Sequence, residues 1–432
     1  MRFQTLGQWL DWQETLHPKK VDMALERVQH VLASMGLAQP PYTVITVAGT
    51  NGKGSCVALL SAMLRAGGYR VGAYTSPHIL RYNERVAVEG KPASDEALCE
   101  SFERIDRARG ETPLTYFEFG TLAAIDIFAQ AKVDVAILEV GLGGRLDATN
   151  AVDADAALIA SISIDHVAWL GDNRESIGRE KAGVFRAGRP AVCGDADPPI
   201  NVRRVAAELG AEWWGANEEF GYRKEVASWT WWSSDAHGVA KQRSALPFPA
   251  LRGEVQLANA AASIAVLESL AERFPLSQSD IRAGLRGVTL SARFQVVPAP
   301  VARIYDVAHN PGAAIELAKR LQSLPCTGKT LAVTSIFADK DIAGVVSPLI
   351  NLIDAWHIFT LDSERAASLD QLSTALLASG AKQLDSHAST ADAWQGVLAG
   401  AEAGDRIVIF GSFYTVAAIM SLDEALAEEI DC

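Results

Sequence analysis

Thr43-Val44-Ile45-Thr46-Val47-Ala48-Gly49-Thr50-Asn51-Gly52-Lys53-Gly54-Ser55 is the stretch on which the reading of this chain turns. Its first six residues are apolar or β-branched and read as a buried strand. Glycines at 49, 52 and 54 let the backbone turn tightly, and Lys53–Arg65 then carries a helical pattern that Gly67-Gly68 stops. A strand, a glycine-rich turn and a helix start form the setting for phosphate binding, because helix-end amides carry positive potential. Gly49, Thr50, Asn51, Gly52, Lys53, Gly54 and Ser55 are therefore the candidate nucleotide ligands, with Lys53 reaching the β/γ-phosphates. The loop departs from G-x-x-x-x-G-K-[ST]: Val47 stands at the first glycine position, and Gly54 separates Lys53 from Ser55. That weakens a kinase or GTPase reading. The competing reading is a plain glycine-rich turn with an exposed lysine.

Outward from this loop, strands and helices alternate. Arg70–Tyr74, Val133–Val140 and Ala156–Ser161 read as strands and Phe117–Ala131 as a helix. Ser94 before Asp95 and Glu96 reads as a helix cap followed by acids that suit exposed amides. This rhythm implies an α/β fold with a parallel sheet and helices on both faces. The stretch Glu212–Pro249 holds Trp213, Trp214, Trp229, Trp231 and Trp232 and reads as short antiparallel strands with the indoles packed. A base-stacking surface would need basic residues interleaved with them. Helices follow at Val255–Arg273 and Ser279–Gly287. From Ser291 the rhythm restarts, with strands expected at Ile304–Val307, Thr330–Ser335, Ala355–Thr360 and Arg406–Phe410.

The chain has 432 residues, enough for two or three domains at about 150 residues each. With 49% hydrophobic and 21% charged residues it can bury a large core, which argues against disorder. A net charge of -13 without a basic patch argues against nonspecific nucleic-acid binding, yet leaves room for small anions in a locally positive pocket. Five scattered cysteines without a CxxC pair argue against a disulfide framework or a thiolate zinc site. No apolar run is long enough for a membrane span. A reduced, cytoplasmic, soluble protein is expected.

The loop Gly49–Ser55 resembles that of the folylpolyglutamate synthase branch of the Mur ligase superfamily. Further segments agree in the family's order: Tyr74-Thr75-Ser76-Pro77-His78, Arg81-Tyr82-Asn83-Glu84-Arg85, and Leu138-Glu139-Val140-Gly141-Leu142-Gly143-Gly144-Arg145-Leu146-Asp147-Ala148-Thr149-Asn150. Asp165-His166, Arg179-Glu180-Lys181-Ala182-Gly183, Gln256-Leu257-Ala258-Asn259-Ala260, Asp306-Val307-Ala308-His309-Asn310-Pro311 and Gly411-Ser412-Phe413-Tyr414-Thr415-Val416 follow. The resemblance spans nearly the whole chain. Leu114-Thr115-Tyr116-Phe117-Glu118 and Arg145–Ala148 look like the dihydropteroate pocket of the bacterial bifunctional type, dihydrofolate synthase plus folylpolyglutamate synthase. One departure is Ser291-Ala292-Arg293, where the family usually has a Pro-Gly-Arg turn.

The resemblance implies two domains. Residues 1–290 would form a P-loop mononucleotide-binding parallel sheet of the Mur-ligase central type, with a small antiparallel sheet and the pterin/folate site. Residues 291–432 would form a Rossmann-like ligase domain with glutamate and adenosine contacts. It also implies ATP-dependent joining of L-glutamate to dihydropteroate and to reduced folates through an acyl phosphate. ATP, two magnesium ions, a monovalent cation such as potassium and a monomeric state come with it.

Ser76, Glu139 and His166 match the metal positions. Glu139 stands out on its own, since an acid ending the apolar run Val135–Leu138 faces the crevice at a parallel sheet's carboxyl edge. Lys181, by itself an ordinary exposed helix lysine, matches a lysine that is carbamylated in the superfamily. Asn259, Arg293 and Asp306 match positions around the adenosine and phosphates. His309 matches one near the γ-phosphate or incoming glutamate. Lys53, Lys181, His166, Arg293 and His309 are the implied catalytic set. For the pterin, Asp147 could pair with ring N–H groups, Thr115 and Ala148 could line its edge, and Phe117 could stack on it. Arg85 could meet a carboxylate with its planar fork.

The rivals are a monofunctional folylpolyglutamate synthase, a peptidoglycan Mur ligase and a nucleotide-binding switch that ligates nothing. A peptidoglycan enzyme carries a separate N-terminal nucleotide-sugar domain, for which the stretch before residue 48 is too short.

Overall fold

The computed structural model describes residues 2–19, 21–234 and 240–431. Residues 235–239 of the tryptophan-rich stretch, and Cys432, lie outside the described residues. The chain divides into two compact units: Met1–His78, Tyr82–Ala250 and Glu254–Thr289 in one, Ile79–Arg81, Leu251–Gly253 and Leu290–Cys432 in the other.

The first unit is built on an eight-stranded sheet. Its strands are β1 Thr43–Ala48, β2 Val71–Tyr74, β3 Val86–Val88, β4 Lys91–Pro92, β5 Val135–Glu139, β6 Ala156–Ile159, β7 Pro190–Cys193 and β8 Glu212–Gly215. The order is β4-β3-β2-β5-β1-β6-β7-β8. All pairings from β2 to β8 are parallel, whereas β3 and β4 run antiparallel at one edge. Every residue of β1, β5 and β6 is buried, as expected for strands covered on both faces. The chain moves from β1 to β2 on one side and from β5 to β6 on the other, so the order reverses at β1. That reversal opens a crevice at the strands' carboxyl ends.

The tryptophan-rich region departs from expectation in its first part. Glu212–Gly215 is a parallel edge strand of the large sheet, paired with β7, and is held there by Trp213, whose ring meets Phe185 edge-on at 6.4 Å. The antiparallel strands come afterwards: β9 Phe220–Lys224, β10 Trp229–Ser234 and β11 Ala240–Leu246 form a separate three-stranded sheet. Trp229 and Trp231 are fully buried. Their indole N–H groups donate to Pro247 O at 2.8 Å and Ala261 O at 3.0 Å, so these rings are core and not a base-stacking platform.

The second unit carries a six-stranded sheet of order β12-β13-β17-β14-β15-β16. Its strands are β12 Arg293–Val297, β13 Ala302–Asp306, β14 Thr330–Thr334, β15 Ala355–Ile358, β16 Leu384–Ser386 and β17 Arg406–Phe410. All pairings are parallel except β12 with β13. The four expected strands are present. The two unforeseen ones, β12 and β16, are the edge strands of that sheet: β16 is three residues long with one apolar side chain, and β12, which carries Phe294, Val296 and Val297, is paired on one side only. Among the described residues no helix is long and apolar enough to cross a membrane.

Candidate active site

Four loops leave adjacent carboxyl ends of the first unit's sheet: residues 49–52 after β1, 75–78 after β2, 140–148 after β5 and 160–166 after β6. Gly49 and Gly52 have φ of +146° and +86°. A Cβ on Gly52 would sit 2.7 Å from the Asn259 Oδ1, so the backbone approaches that buried asparagine more closely than any side chain permits. Asn259 Nδ2 donates to Gln256 Oε1 at 3.0 Å, which holds its oxygen toward the loop. The Lys53 ammonium donates to Gly49 O at 3.1 Å and Thr50 O at 3.3 Å, curling back over the loop it follows.

The amides of the loop divide in a way its glycines do not announce. Thr50 N–H donates to Ser161 O at 2.7 Å and Asn51 N–H to Ser161 Oγ at 3.2 Å. The Thr50 hydroxyl donates to Ser163 O at 3.0 Å and accepts from Ser163 N–H at the same distance. These two residues clamp the turn to the neighbouring 160–166 loop. The first intrahelical bond is Cys56 N–H to Gly52 O at 2.9 Å, which leaves the amides of Gly54 and Ser55 at the anion-attracting helix start. Ser161 and Ser163 went unread in the sequence, where two serines in a loop carry no signal.

Glu139 is buried at the end of β5 and accepts from Ser76 N–H at 3.3 Å. His166 has left-handed backbone, with φ of +51°, and its N–H donates to Asp165 Oδ1 at 2.8 Å. Its imidazole lies 3.9 Å from the Asp165 carboxylate. Among the described residues no cluster of three or more His, Cys, Asp or Glu side chains forms a cage. A hydroxyl and one buried carboxylate nevertheless fit magnesium, which favours hard oxygens, keeps several waters and binds phosphates through few protein ligands.

Lys181, read alone as an exposed lysine, is 3% exposed. The backbone explains its position. Arg145 N–H donates to Glu180 O at 2.8 Å, Asn150 Nδ2 donates to Arg145 O and Gly183 O, and Gly144 packs where a Cβ would meet Lys181 O at 2.8 Å. The helix end is thus sewn to the loop carrying Asp147. Burial lowers the Lys181 ammonium to about 7; the Lys53 charge adds to this, and Asp165 and Asp147 oppose it.

Asp147 is buried and caps the turn Ala148–Ala151. Its Oδ1 accepts from Thr149 N–H and Oγ1, and its Oδ2 accepts from Leu142 N–H at 2.9 Å. Burial raises its carboxyl above the usual range in spite of these donors. Thr115 caps the helix Tyr116–Gln130 in a reciprocal box with Glu118. The Phe117 ring covers Gly141, where a Cβ would lie 2.5 Å from it, and Ala148 is buried beside them. Arg27 was missed: it donates to Glu118 at 2.9 Å and to Asp22 at 2.8 Å, tying the chain before the helix Glu26–Ser34 to that cap. Arg85 Nε donates to His78 Nδ1 at 2.9 Å, and burial followed by the Arg85 charge lowers His78 to about 4.

In the second unit, Arg293, Asp306 and His309 come together. The Arg293 guanidinium lies 5.1 Å from the centre of the Phe413 ring, and the His309 ring lies 6.2 Å from the same ring. Asp306 accepts from Phe294 N–H at 3.0 Å and Ala308 N–H at 2.9 Å, with Arg320 at 3.6 Å. It therefore shapes the turn that presents Arg293. Burial raises its carboxyl, while Arg320 and Arg293 pull it down.

The comparisons with known proteins agree with this geometry. The Mur ligase middle domain matches residues 47–267, and the Mur ligase glutamate ligase domain matches residues 292–413. The class is thus a Mur-type ligase, an ATP-dependent enzyme that forms carbon–nitrogen bonds. The dihydrofolate synthase/folylpolyglutamate synthase of Escherichia coli (strain K12) is 45% identical over 97% of this chain and 96% of its own. The folylpolyglutamate synthase of Lacticaseibacillus casei is 31% identical over 91% and 92%. The structure of E. coli FolC in complex with DHPP and ADP superposes with a TM-score of 0.91 at 44% identity, covering 98% of this chain and 99% of that one. A bifunctional folylpolyglutamate synthase/dihydrofolate synthase with Mn, AMPPNP and L-glutamate bound gives 0.89 at 44% identity, covering 98% of each chain. The chain belongs to the dihydrofolate synthase/folylpolyglutamate synthase family.

Proposed function

We propose that this protein uses ATP to join L-glutamate to dihydropteroate, forming dihydrofolate, and to reduced folylglutamates. The observation that carries this reading is convergence: the phosphate loop, the Ser76–Glu139 pair, the Asp147 loop and the Asp165-His166 loop all leave neighbouring carboxyl ends of one parallel sheet. A carboxylate is a poor electrophile. Its oxygen attacks the γ-phosphorus of ATP, ADP leaves, and the product is an acyl phosphate. The glutamate amine then attacks the acyl carbon, and phosphate departs. Two anions must meet in the first step, so preorganised positive charge is the main catalytic contribution.

In this reading Lys53 and the helix start at Gly54 and Ser55 hold the phosphates, with Gly49, Thr50, Asn51 and Gly52 shaping the loop. Asn259 and, from the second unit, Arg293 and Asp306 serve the nucleotide, and His309 serves the γ-phosphate or the glutamate. Ser76, Glu139 and His166 would hold magnesium, which supplies charge neutralisation at the phosphates when bound. Lys181 is carbamylated: a buried amine lowered to about 7 is neutral often enough to add carbon dioxide, and the carbamate oxygens could then help hold the metal. Thr115, Phe117, Asp147 and Ala148 hold the pterin, and Arg85 the carboxylate at its far end. Two magnesium ions and a monovalent cation such as potassium complete the set. We infer a cytoplasmic monomer acting on small molecules, with no nucleic-acid or membrane partner.

The test is an incubation with ATP, magnesium, dihydropteroate and glutamate, following ADP release and the mass of the pterin product. The expected result is one added glutamate and ADP release that requires both organic substrates. ADP release indifferent to them would support a switch instead. Product from a reduced folate but never from dihydropteroate would support a monofunctional enzyme.

A further inference from the structure

Arg85 sits in a three-sided socket. Its Nε donates to His78 Nδ1 at 2.9 Å. Its guanidinium carbon lies 5.4 Å from the centre of the Tyr82 ring and 5.6 Å from that of Tyr116. Those two rings meet edge-on, with centroids 5.6 Å apart at 87°, and the His78 ring lies 5.9 Å from Tyr82. The socket is itself braced: Gly120 packs under it where a Cβ would be 2.7 Å from the Tyr82 hydroxyl and 3.2 Å from that of Tyr74.

A guanidinium can meet a carboxylate side-on, through Nε and one terminal nitrogen, or end-on, through both terminal nitrogens. An imidazole nitrogen that accepts a hydrogen bond uses its lone pair, so His78 occupies the Nε–H and removes the side-on mode. Among the described residues no carboxylate forms an ion pair with Arg85 within 4.0 Å. The Tyr74 hydroxyl is a further hydrogen-bonding neighbour of the Arg85 side chain; the N–H groups beyond it face no carboxylate among the first unit's described residues, and the aromatic walls limit how the fork can rotate.

We propose that His78 is a positioning residue for the ligation proposed above: by holding Arg85 Nε it makes the guanidinium receive the substrate carboxylate end-on. This rests on the assignment of Arg85 to that carboxylate made above. Neither His78 nor the two tyrosines need touch the reacting atoms.

The experiment measures steady-state constants for dihydropteroate and ATP in the full-length protein and in Arg85→Ala, His78→Leu and His78→Asn, each checked by its thermal melt. His78→Leu removes the acceptor. His78→Asn puts an amide oxygen close to where Nδ1 was. A hydrogen bond to a charged group is worth about tenfold or more in binding, so His78→Leu raises KM for dihydropteroate about tenfold. Its kcat and its KM for ATP stay within about twofold, the signature of lost substrate binding. His78→Asn recovers most of the loss. An unchanged dihydropteroate KM in folded His78→Leu overturns the proposal. So does His78→Asn as impaired as His78→Leu, or a loss shared equally by kcat and the ATP KM. If Arg85→Ala raises the dihydropteroate KM while His78→Leu is silent, the Arg85 assignment stands and only the His78 role fails. If Arg85→Ala is itself silent, the Arg85 assignment fails.

Discussion

The turn before Lys53 and the turn before Arg293 pose the same problem and solve it differently. Each must bend the backbone through conformations that L side chains avoid and then present a cation. In the first, Gly49 and Gly52 take the positive φ values, so the conformation costs little beyond chain entropy. In the second, Ala292 and Phe294 take φ of +56° and +53° with no glycine at all. Their surroundings impose it: both are buried, Phe294 N–H is held by Asp306 and Ala292 N–H by the Gln295 side chain at 3.0 Å. One turn is written in its own residues, and the other is enforced by neighbours. Strain of this kind persists only where the surroundings over-determine it.

That contrast can be broken or sharpened by mutation. The largest effect is expected from Lys53→Ala. Removing a preorganised charge from the phosphate site should lower kcat for ligation on the order of a thousandfold without moving the melting temperature; an active variant would remove the phosphate-loop assignment.

Lys181→Met comes next and should split activity from stability. The folded-state value of about 7 lies below the ordinary 10.5. Between these values the unfolded chain binds more protons than the folded one, so stability rises with pH across that window. Below about pH 7 the folded protein bears the full cost of a buried ammonium. In carbon-dioxide-stripped buffer Lys181→Met should therefore melt higher than the parent at pH 6, by the equivalent of a few kcal/mol. That advantage should shrink from pH 7 toward 10, while ligation is lost at every pH. A pH-independent difference in melting would show that Lys181 is not buried as an amine.

Gly52→Ala probes the glycine-built turn. Its Cβ would press on Asn259 Oδ1 at 2.7 Å in a left-handed residue, so a loss of about 1–3 kcal/mol in stability and a raised KM for ATP are expected. Ala292→Gly probes the enforced turn and should do least. Relief of about 1 kcal/mol of backbone strain is nearly offset by the loss of a buried methyl worth about 0.8 kcal/mol and by a more flexible unfolded chain. A denaturant midpoint within the equivalent of about 0.5 kcal/mol of the parent is the expected reading. A large stabilisation would mean that the second turn is far more strained than its neighbours suggest.

Legibility followed the same division. The strand Thr43–Ala48, the helix that starts at Lys53 and the strand ending at Glu139 could be read because local pattern and tertiary role coincide there. Trp213 could not be placed, because a tryptophan in an edge strand reads the same whether that edge belongs to a parallel or an antiparallel sheet. Lys181 could not be read as buried, because Arg179-Glu180-Lys181 looks solvated until Arg145 and Gly144 close over it. Ser161, Ser163, Arg27 and His78 act through partners between 5 and 113 residues away.

What the amino-acid order determined alone is the alternation of elements, the glycine-rich turn between the strand Thr43–Ala48 and the helix at Lys53, and the family to which its ordered motifs point. These depend on hydrophobic period, turn chemistry and residue identity, all of which are local. Only the tertiary structure decided which amides of that turn are tied to Ser161 and which stay at the helix start, that Lys181 is a buried amine, that Ala292 is forced through a left-handed turn and that Arg85 is held by His78. Each of those is a matter of distance and burial, whether the partners lie 7 residues apart, as His78 and Arg85 do, or 110, as Asn51 and Ser161 do, and both arise only when the chain has packed.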